Sequence, residues 1–270
     1  MGIPQITCGQ PKLRVMQTKF TELRDSQWEI IEKFVNHHQP RKHSLRTILN
    51  AILWICRTGS QWRNLESKYP PWESVYYYFS IWSQNGTLNQ ILGSLVEMER
   101  QGVGREPQPS AVSIDSQSVK SVPFVEEGTK GVDGGKKVKG RKRHIIVDTD
   151  GLPLVVWVSP ANLHDGEAGV EMLWQLEEKA ERLELIRTDG SYGGYFQEIA
   201  EGIYGWKVNT TQRPPSQKGF IPEKGRWPVE RSFGWLNFFR RLAKDFEKTT
   251  QSAVAFIQIA FISVMLARLA

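Results

Sequence analysis

One stretch in the middle of the chain constrains the fold most. "HIIVDTDGLPLVVWVS" holds two runs of β-branched and apolar residues on either side of Asp150-Gly151. Branched side chains pack well on a pleated surface, and Asp-Gly accepts the tight reversal that joins two antiparallel strands. The stretch therefore predicts a hairpin, and a hairpin needs a larger sheet to bury its apolar face.

The flanking sequence supplies that sheet. "AVSIDSQSVK", residues 111–120, reads as a strand, as do "LELIRTDGSYGG" up to Asp189 and "YGWKVNTT". Between them, "HDGEAGVEMLWQLEEKAERL" is an amphipathic helix with Asp165 as its expected N-cap, and "GYFQEIAEGI" is a short helix. A long helix is expected from about Pro228. Strands alternating with helices predict a mixed α/β sheet with helices on its faces.

The first hundred residues read differently. In "SLRTILNAILWIC", Leu45, Ile48, Leu49, Ile52, Leu53 and Cys56 share one helical face, with Ser44 as N-cap and Gly59 as the stop. "DSQWEIIEKFV", "WESVYYYFSIW" and "LNQILGSLVEM", the last capped by Thr87, have the same spacing. Short helices with Arg41, Lys42, Arg46, Arg57 and Arg63 between them suit a helix-turn-helix reader of DNA, and equally a helical bundle with solvated charges. "RQGVGREPQPS" reads as a linker. Two domains are expected, a helical one over 1–105 and an α/β one over 106–270.

Composition narrows the function classes. The net charge is +6, which suits a polyanionic partner without requiring one. The two cysteines, Cys8 and Cys56, have no metal-ligand spacing and no disulfide framework, and Cys56 is expected in the core. No secretory signal is visible at the N-terminus. "AVAFIQIAFISVMLARLA" is interrupted by Gln258, Ser263 and Arg268, so it predicts a buried terminal helix and no membrane partner. A cytoplasmic protein is expected.

Two of the expected strands break at an aspartate, Asp115 and Asp189, and Glu230 stands near a helix start. Taken singly, each has a plain explanation: an aspartate closes a turn, and a glutamate favours a helix N-terminus. Taken together, three carboxylates repel one another unless they hold a divalent cation, and hard oxygen ligands suit magnesium or manganese. Two such ions serve in-line displacement at a phosphodiester. Asp148 and Asp150 are explained by the hairpin turn, and His37, His38 and His43 suit no closed metal site. "GVDGGKKVKG" lacks the spacing of a phosphate-binding P-loop.

Basic residues cluster beside these positions. Lys130, Lys136, Lys137, Lys139, Arg141, Lys142 and Arg143 are expected on a mobile, Gly-rich loop that contacts DNA phosphates. Arg226, Arg231, Arg240, Arg241 and Lys244 form a second basic face around the last helix. Trp62, Trp72 and Trp235 are expected to pack.

The chain resembles the DDE-type bacterial transposases of the insertion-sequence group called IS-five-like. The matching stretches are "HSLRTILNAILWICRTGSQWRNL", "PPWESVYYYFSIW", "SIDSQSVK", "KGRKRHIIVDTDGLPL", "ANLHDGEAG", "RTDGSYGG" and "RWPVERSFGWLNFFRRLAKDFEK", in order along nearly the whole chain. The resemblance implies a ribonuclease H-like fold preceded by a helical domain of helix-turn-helix type. It implies a catalytic, metal-holding triad of Asp115, Asp189 and Glu230 with two Mg2+ or Mn2+ ions. It further implies binding to the double-stranded terminal inverted repeats, strand cleavage and strand transfer, and a homodimer on DNA. The alternative is a non-catalytic DNA-binding regulator derived from such an enzyme. The family's Tyr-Arg-Glu-Lys pattern is half present: Arg226 stands four before Glu230, but Glu223 and Asn237 occupy the tyrosine and lysine positions. Glu230 is favoured as third carboxylate over Glu223, on the preceding loop, and over Glu247, expected too far along the same helix.

Overall fold

The computed structural model describes residues 19–35, 42–211 and 227–269. Its helical part comprises α1 (Asp25–Val35), α2 (Leu45–Thr58), α3 (Trp72–Gln84) and α4 (Thr87–Gly102). In α2 the predicted face is the buried one: Leu45, Ile48, Leu49, Ile52, Leu53 and Cys56 are all enclosed. Ser44 is the N-cap, and Gly59 ends the helix in the left-handed region at φ 73°, its N–H bonded to the Ile55 carbonyl. Burial pushes the Cys56 thiol up, as expected of a core residue. The start of α4 corrects the expected cap by one place: Gly86, not Thr87, is the N-cap, and Thr87 is buried.

The sheet contains β1 (Ala111–Lys120), β2 (Gly131–Asp133), β3 (Val138–Asp148), β4 (Pro153–Pro160), β5 (Leu185–Asp189) and β6 (Lys207–Thr211). β1, β3 and β4 are antiparallel neighbours, and β5 and β6 run parallel to β1 on its other side. The order β4-β3-β1-β5-β6, with three antiparallel strands followed by two parallel ones, is ribonuclease H-like. The short β2 pairs with the start of β3. Residues 130–143, expected as a loop, are therefore largely a β-hairpin, and most of β3 is buried.

Helices α5 (Asp165–Glu177), α6 (Tyr195–Gly202), α7 (Trp227–Leu236) and α8 (Thr250–Arg268) complete the fold. The single long helix expected from Pro228 is instead α7 and α8, separated by a turn region with a 3-10 turn at Arg240–Leu242. Tertiary contacts hold this break: Arg57 donates to the Phe238 carbonyl, and Arg241 Nε pairs with Glu247 Oε1 at 2.7 Å. Such contacts outweigh the local helical pattern.

α8 packs against α2, α3, α4 and β4, joining the helical part and the sheet in one continuous core. Phe256 and Phe261 are fully buried there, each contributing roughly 1.5–3 kcal/mol of transfer free energy. Among the described residues α8 is the one helix long and apolar enough to cross a membrane, and most of it is buried inside the fold. The expected linker is also pinned. Arg100, in the last turn of α4, pairs with Asp148, and Arg105 reaches Asp150 at 2.6 Å. Both acids lie in the β3–β4 turn, where Asp148 Oδ1 also accepts the N–H groups of Asp150 and Leu152. Gly151 has φ 73°, and a Cβ there would meet Pro228 O and Ser232 Oγ at 2.8 Å, so glycine also permits the close docking of α7.

Candidate active site

The relation between β1 and β5 sets the geometry. Ala111, Val112 and Ser113 pair in parallel with Leu185, Ile186 and Arg187. The observed pairs end at Ser113 and Arg187; continued two residues further, this register would put Asp115 level with Asp189, and register partners on neighbouring strands face the same way. β5 ends at Asp189 whereas β1 runs on to Lys120, so the two carboxylates stand where the sheet opens beyond β5. Both are half-buried. Asp115 Oδ1 accepts the Ser116 N–H at 2.7 Å, and Asp189 Oδ1 accepts the N–H of Ser191 at 2.9 Å and its hydroxyl at 2.7 Å. These bonds fix each carboxylate against its own backbone.

A third aspartate lies close by. Asp165 opens α5, and the N-cap is its neighbour His164, whose Nδ1 accepts from Gly166 N–H at 3.2 Å. This corrects the expected cap by one place and frees the Asp165 carboxylate for another role. Its Oδ1 accepts the Ser116 hydroxyl at 3.0 Å and faces Lys142 Nζ at 2.9 Å. Lys142 also donates to the Leu163 carbonyl. Tyr192 is fully buried beside this group, and its phenol is pushed well above the usual range. Burial is the main cause, reinforced by the negative charges of Asp165, Asp115 and Asp189, with the Ser116 hydroxyl acting in the opposite sense. Ser116 and Tyr192 were not among the sequence candidates; Asp165 was read as a helix cap, with the "HD" pair as the one signal for a place near the site.

Glu230 lies half-buried in the first turn of α7, which packs against β1 and β3. Val229, Phe233 and Leu236 are buried and anchor the helix. Arg231 stacks on Trp227 at 4.2 Å and Trp235 at 5.2 Å and donates to the Asp150 carbonyl. Among the described residues, no three His, Cys, Asp or Glu side chains converge closely enough to hold a metal ion. The aspartates nonetheless offer the right donor chemistry: hard carboxylates, each held by hydrogen bonds from its own neighbourhood, suit Mg2+ or Mn2+.

The basic candidates divide sharply. Arg141 is fully buried, bonded to Asp245 at 3.0 Å and to the carbonyls of Thr129, Glu247, Thr249 and Lys248. Arg143 is buried as well, and desolvation lowers it to about 10. Arg241 is committed to Glu247, and Lys142 to Asp165. The expectation of DNA contact is corrected for these four, because their charges are enclosed by the fold. Arg46 pairs with Asp25 at 2.5 Å. Lys42, Lys136, Lys137, Lys139 and Arg240 are exposed. Arg41, Glu223 and Arg226 lie outside the described residues. Trp62 packs on Phe79 and Phe256, and Trp235 is buried, as expected.

Comparison with known proteins shows the family. Residues 23–92 match the family "Putative transposase of IS4/5 family", and residues 106–266 match "Transposase DDE domain". The chain is 30% identical over 118 residues to "Uncharacterized protein y4sN" of Sinorhizobium fredii, covering 42% of this chain and 87% of that protein. It is 27% identical over 127 residues to "Putative transposase for insertion sequence element IS402" of Burkholderia cepacia. That match covers 44% of this chain and 60% of the length of the relative. A solved structure, "Crystal structure of the Mos1 Strand Transfer Complex", is 12% identical with a TM-score of 0.30, covering 81% of this chain and 70% of the other. The chain belongs to the DDE-domain transposases of the IS4/5 group.

Proposed function

We infer that this transposase binds the terminal inverted repeats of an insertion sequence and carries out divalent-metal-dependent strand cleavage and strand transfer. Asp115, Asp189 and Glu230 are the catalytic residues of this reading. What supports it is the β1–β5 register, whose continuation two residues past Ser113 and Arg187 would put Asp115 level with Asp189. Asp115 and Asp189 would hold Mg2+ or Mn2+, two ions per site, with Glu230 completing the ligand set from α7. When bound, the metal supplies charge stabilisation at the scissile phosphate and lowers the pKa of the attacking water.

The protein's own groups do the positioning. Backbone N–H donors hold one oxygen of each aspartate, leaving the carboxylates oriented before substrate arrives. Water is the nucleophile for cutting, and the freed 3′-hydroxyl is the nucleophile for joining. Exposed Lys42, Lys136, Lys137, Lys139 and Arg240 are available to double-stranded DNA. Two element ends must be held together for joining, so a homodimer on DNA is the working assembly. Its place is the bacterial cytoplasm, with the nucleoid.

The test is strand cleavage of a duplex carrying the inverted repeats that flank the reading frame. Cleavage is expected in Mg2+ or Mn2+ and not in Ca2+, whose looser coordination positions the reacting oxygens poorly. Asp115→Asn should remove cleavage and keep binding. Binding without cleavage by the parent protein in either metal would favour the non-catalytic regulator.

A further inference from the structure

Beside the candidate catalytic aspartates, one buried hydroxyl has no hydrogen-bond partner: Tyr192 Oη. The side chain is fully buried. It belongs to the 3-10 turn Gly190–Tyr192 that follows β5, and Asp189 caps that turn, its Oδ1 accepting both donors of Ser191. The ring is wedged in place. Phe196 meets it edge-on with centroids 5.4 Å apart, and α5 lies so close at Gly169 that a Cβ there would come within 3.0 Å of Tyr192 Cδ1.

Packing alone does not call for this hydroxyl. Phe196, against the same ring, fills its core position without a polar atom. A buried O–H with no acceptor is destabilising, because it has lost water and gained no bond in exchange. Such orphans are rare in folded proteins and ask for an explanation. Acceptors are close at hand. Burial, and then the charges of Asp165, Asp115 and Asp189, hold the phenol in its protonated form, so it is a donor within electrostatic reach of three carboxylates. Ser116, whose hydroxyl also acts on the phenol, gives that proton to Asp165 at 3.0 Å and its N–H to Asp115 at 2.7 Å.

As the side chains stand, no three carboxylates among the described residues converge closely enough to hold an ion. A divalent cation would draw them together, since its charge offsets their mutual repulsion. The phenol is the donor lodged among them that such a movement would satisfy. We propose that Tyr192 is a positioning residue for the metal, its hydroxyl donating to an aspartate of the site only when a divalent ion is bound and thereby tightening the hold on that ion. Donors of this kind orient the ligands that touch a metal. The proposal rests on the active-site reading above for the identity of the metal ligands, and on the buried, unpartnered hydroxyl for the rest.

Tyr192→Phe removes the hydroxyl and keeps the ring, so it should move two properties in opposite directions. In EDTA the full-length variant should melt about 2–4 °C above the parent, as expected when one orphaned group is relieved in a chain of this size. Its affinity for Mn2+, measured by titration calorimetry without DNA, should be about 10- to 100-fold weaker, the usual effect of losing a donor behind the metal ligands. Cleavage should accordingly need more Mn2+ to reach half its maximal rate. Tyr195→Phe, at an exposed position three residues on, should change neither property. Parental Mn2+ affinity in Tyr192→Phe, at any melting temperature, overturns the proposal. Weaker binding with a lowered melting temperature would show that the hydroxyl is already bonded without the ion, and overturns the dependence on metal. If Asp115→Asn and Asp189→Asn together leave Mn2+ affinity parental, the assignment of the metal ligands fails, while the affinity of Tyr192→Phe still judges the tyrosine.

Discussion

Arg141 Nη1 and Asp245 Oδ2 lie 3.0 Å apart, with their side chains 0% and 4% exposed. This pair ties β3 to the segment before α8. A buried arginine is tolerated when its donors are all used, and Arg141 meets one carboxylate and several carbonyls. Removing one partner strands the other's charge. Arg141→Ala should cost about 3–5 kcal/mol of unfolding free energy, read from urea denaturation. At temperatures where the variant is folded, the salt slope of its DNA binding should equal that of the parent. A lowered slope with unchanged stability would return Arg141 to the DNA-contacting set.

The Asp165 carboxylate, shared between Ser116 and Lys142, leads to a second expectation. Ser116 gives its N–H to Asp115 and its hydroxyl to Asp165, so Asp165 braces the strand residue next to the candidate catalytic aspartate. Asp165→Asn keeps the size but weakens the bond to Lys142. It should raise the Mn2+ concentration needed for half-maximal cleavage, with a smaller fall in the maximal rate. Ser116→Ala should move the metal dependence in the same direction. A variant that loses only thermal stability, with parental metal dependence, would make Asp165 purely structural.

His144 predicts a pH effect on stability. Its Nε2 contacts Ser159 Oγ at 2.8 Å, and the ring is buried against Trp157. Desolvation lowers its pKa to about 4, with Asp165 opposing and Lys142 and Lys136 adding to the shift. The unfolded chain takes up the proton near pH 6.5, before the folded state does. Stability should therefore fall as pH drops from about 6.5 to about 4, by up to roughly 3 kcal/mol from this group. His144→Gln should lower stability at neutral pH but flatten this part of the profile. Parallel profiles for the two proteins between pH 4.5 and 7 would show that His144 does not titrate as described.

Much of the fold was readable because its signals are local. The Asp150-Gly151 reversal, the α2 stripe from Ile48 to Cys56 and the Gly59 stop each depend on a few neighbouring residues. What was not readable depends on residues far apart in sequence. A run of arginine and lysine looks the same whether its charges face water or are enclosed; Asp245 and the carbonyls of Glu247, Lys248 and Thr249 that enclose Arg141 lie more than a hundred residues away. The long-helix expectation failed for the same reason, since Arg57 and Glu247 hold the break after Leu236. At the site, both aspartates were visible as breaks in apolar runs, although Asp115 lies mid-strand, since β1 runs on to Lys120, and only Asp189 ends its strand. For Asp165 the "HD" pair hinted at the site, but the cap reading took precedence because an acid at a helix start already has a sufficient local explanation.

The last expectation concerns the third carboxylate. Glu230 and Glu247 are both described, and they differ in what they already bind. Glu247 is buried, its Oε1 held by Arg241 at 2.7 Å and its N–H by Asp245 Oδ1 at 3.0 Å. Burial raises its pKa while Arg241 pulls it back. That carboxylate is committed to closing the chain between α7 and α8. Glu230 is half-buried at the start of α7, on a helix anchored by Val229, Phe233 and Leu236 and packed on β1, the strand of Asp115. Glu230→Gln keeps the shape and removes the charge, so cleavage should fall to background while duplex binding and thermal stability stay near parental. Glu247→Gln should do the reverse: a loss of about 3–5 kcal/mol of stability from the broken buried pair, with cleavage retained wherever the protein is folded. Glu223→Gln, on a position outside the described residues, should also retain cleavage. A Glu230→Gln protein that still cuts at the parental rate would remove Glu230 from the catalytic set.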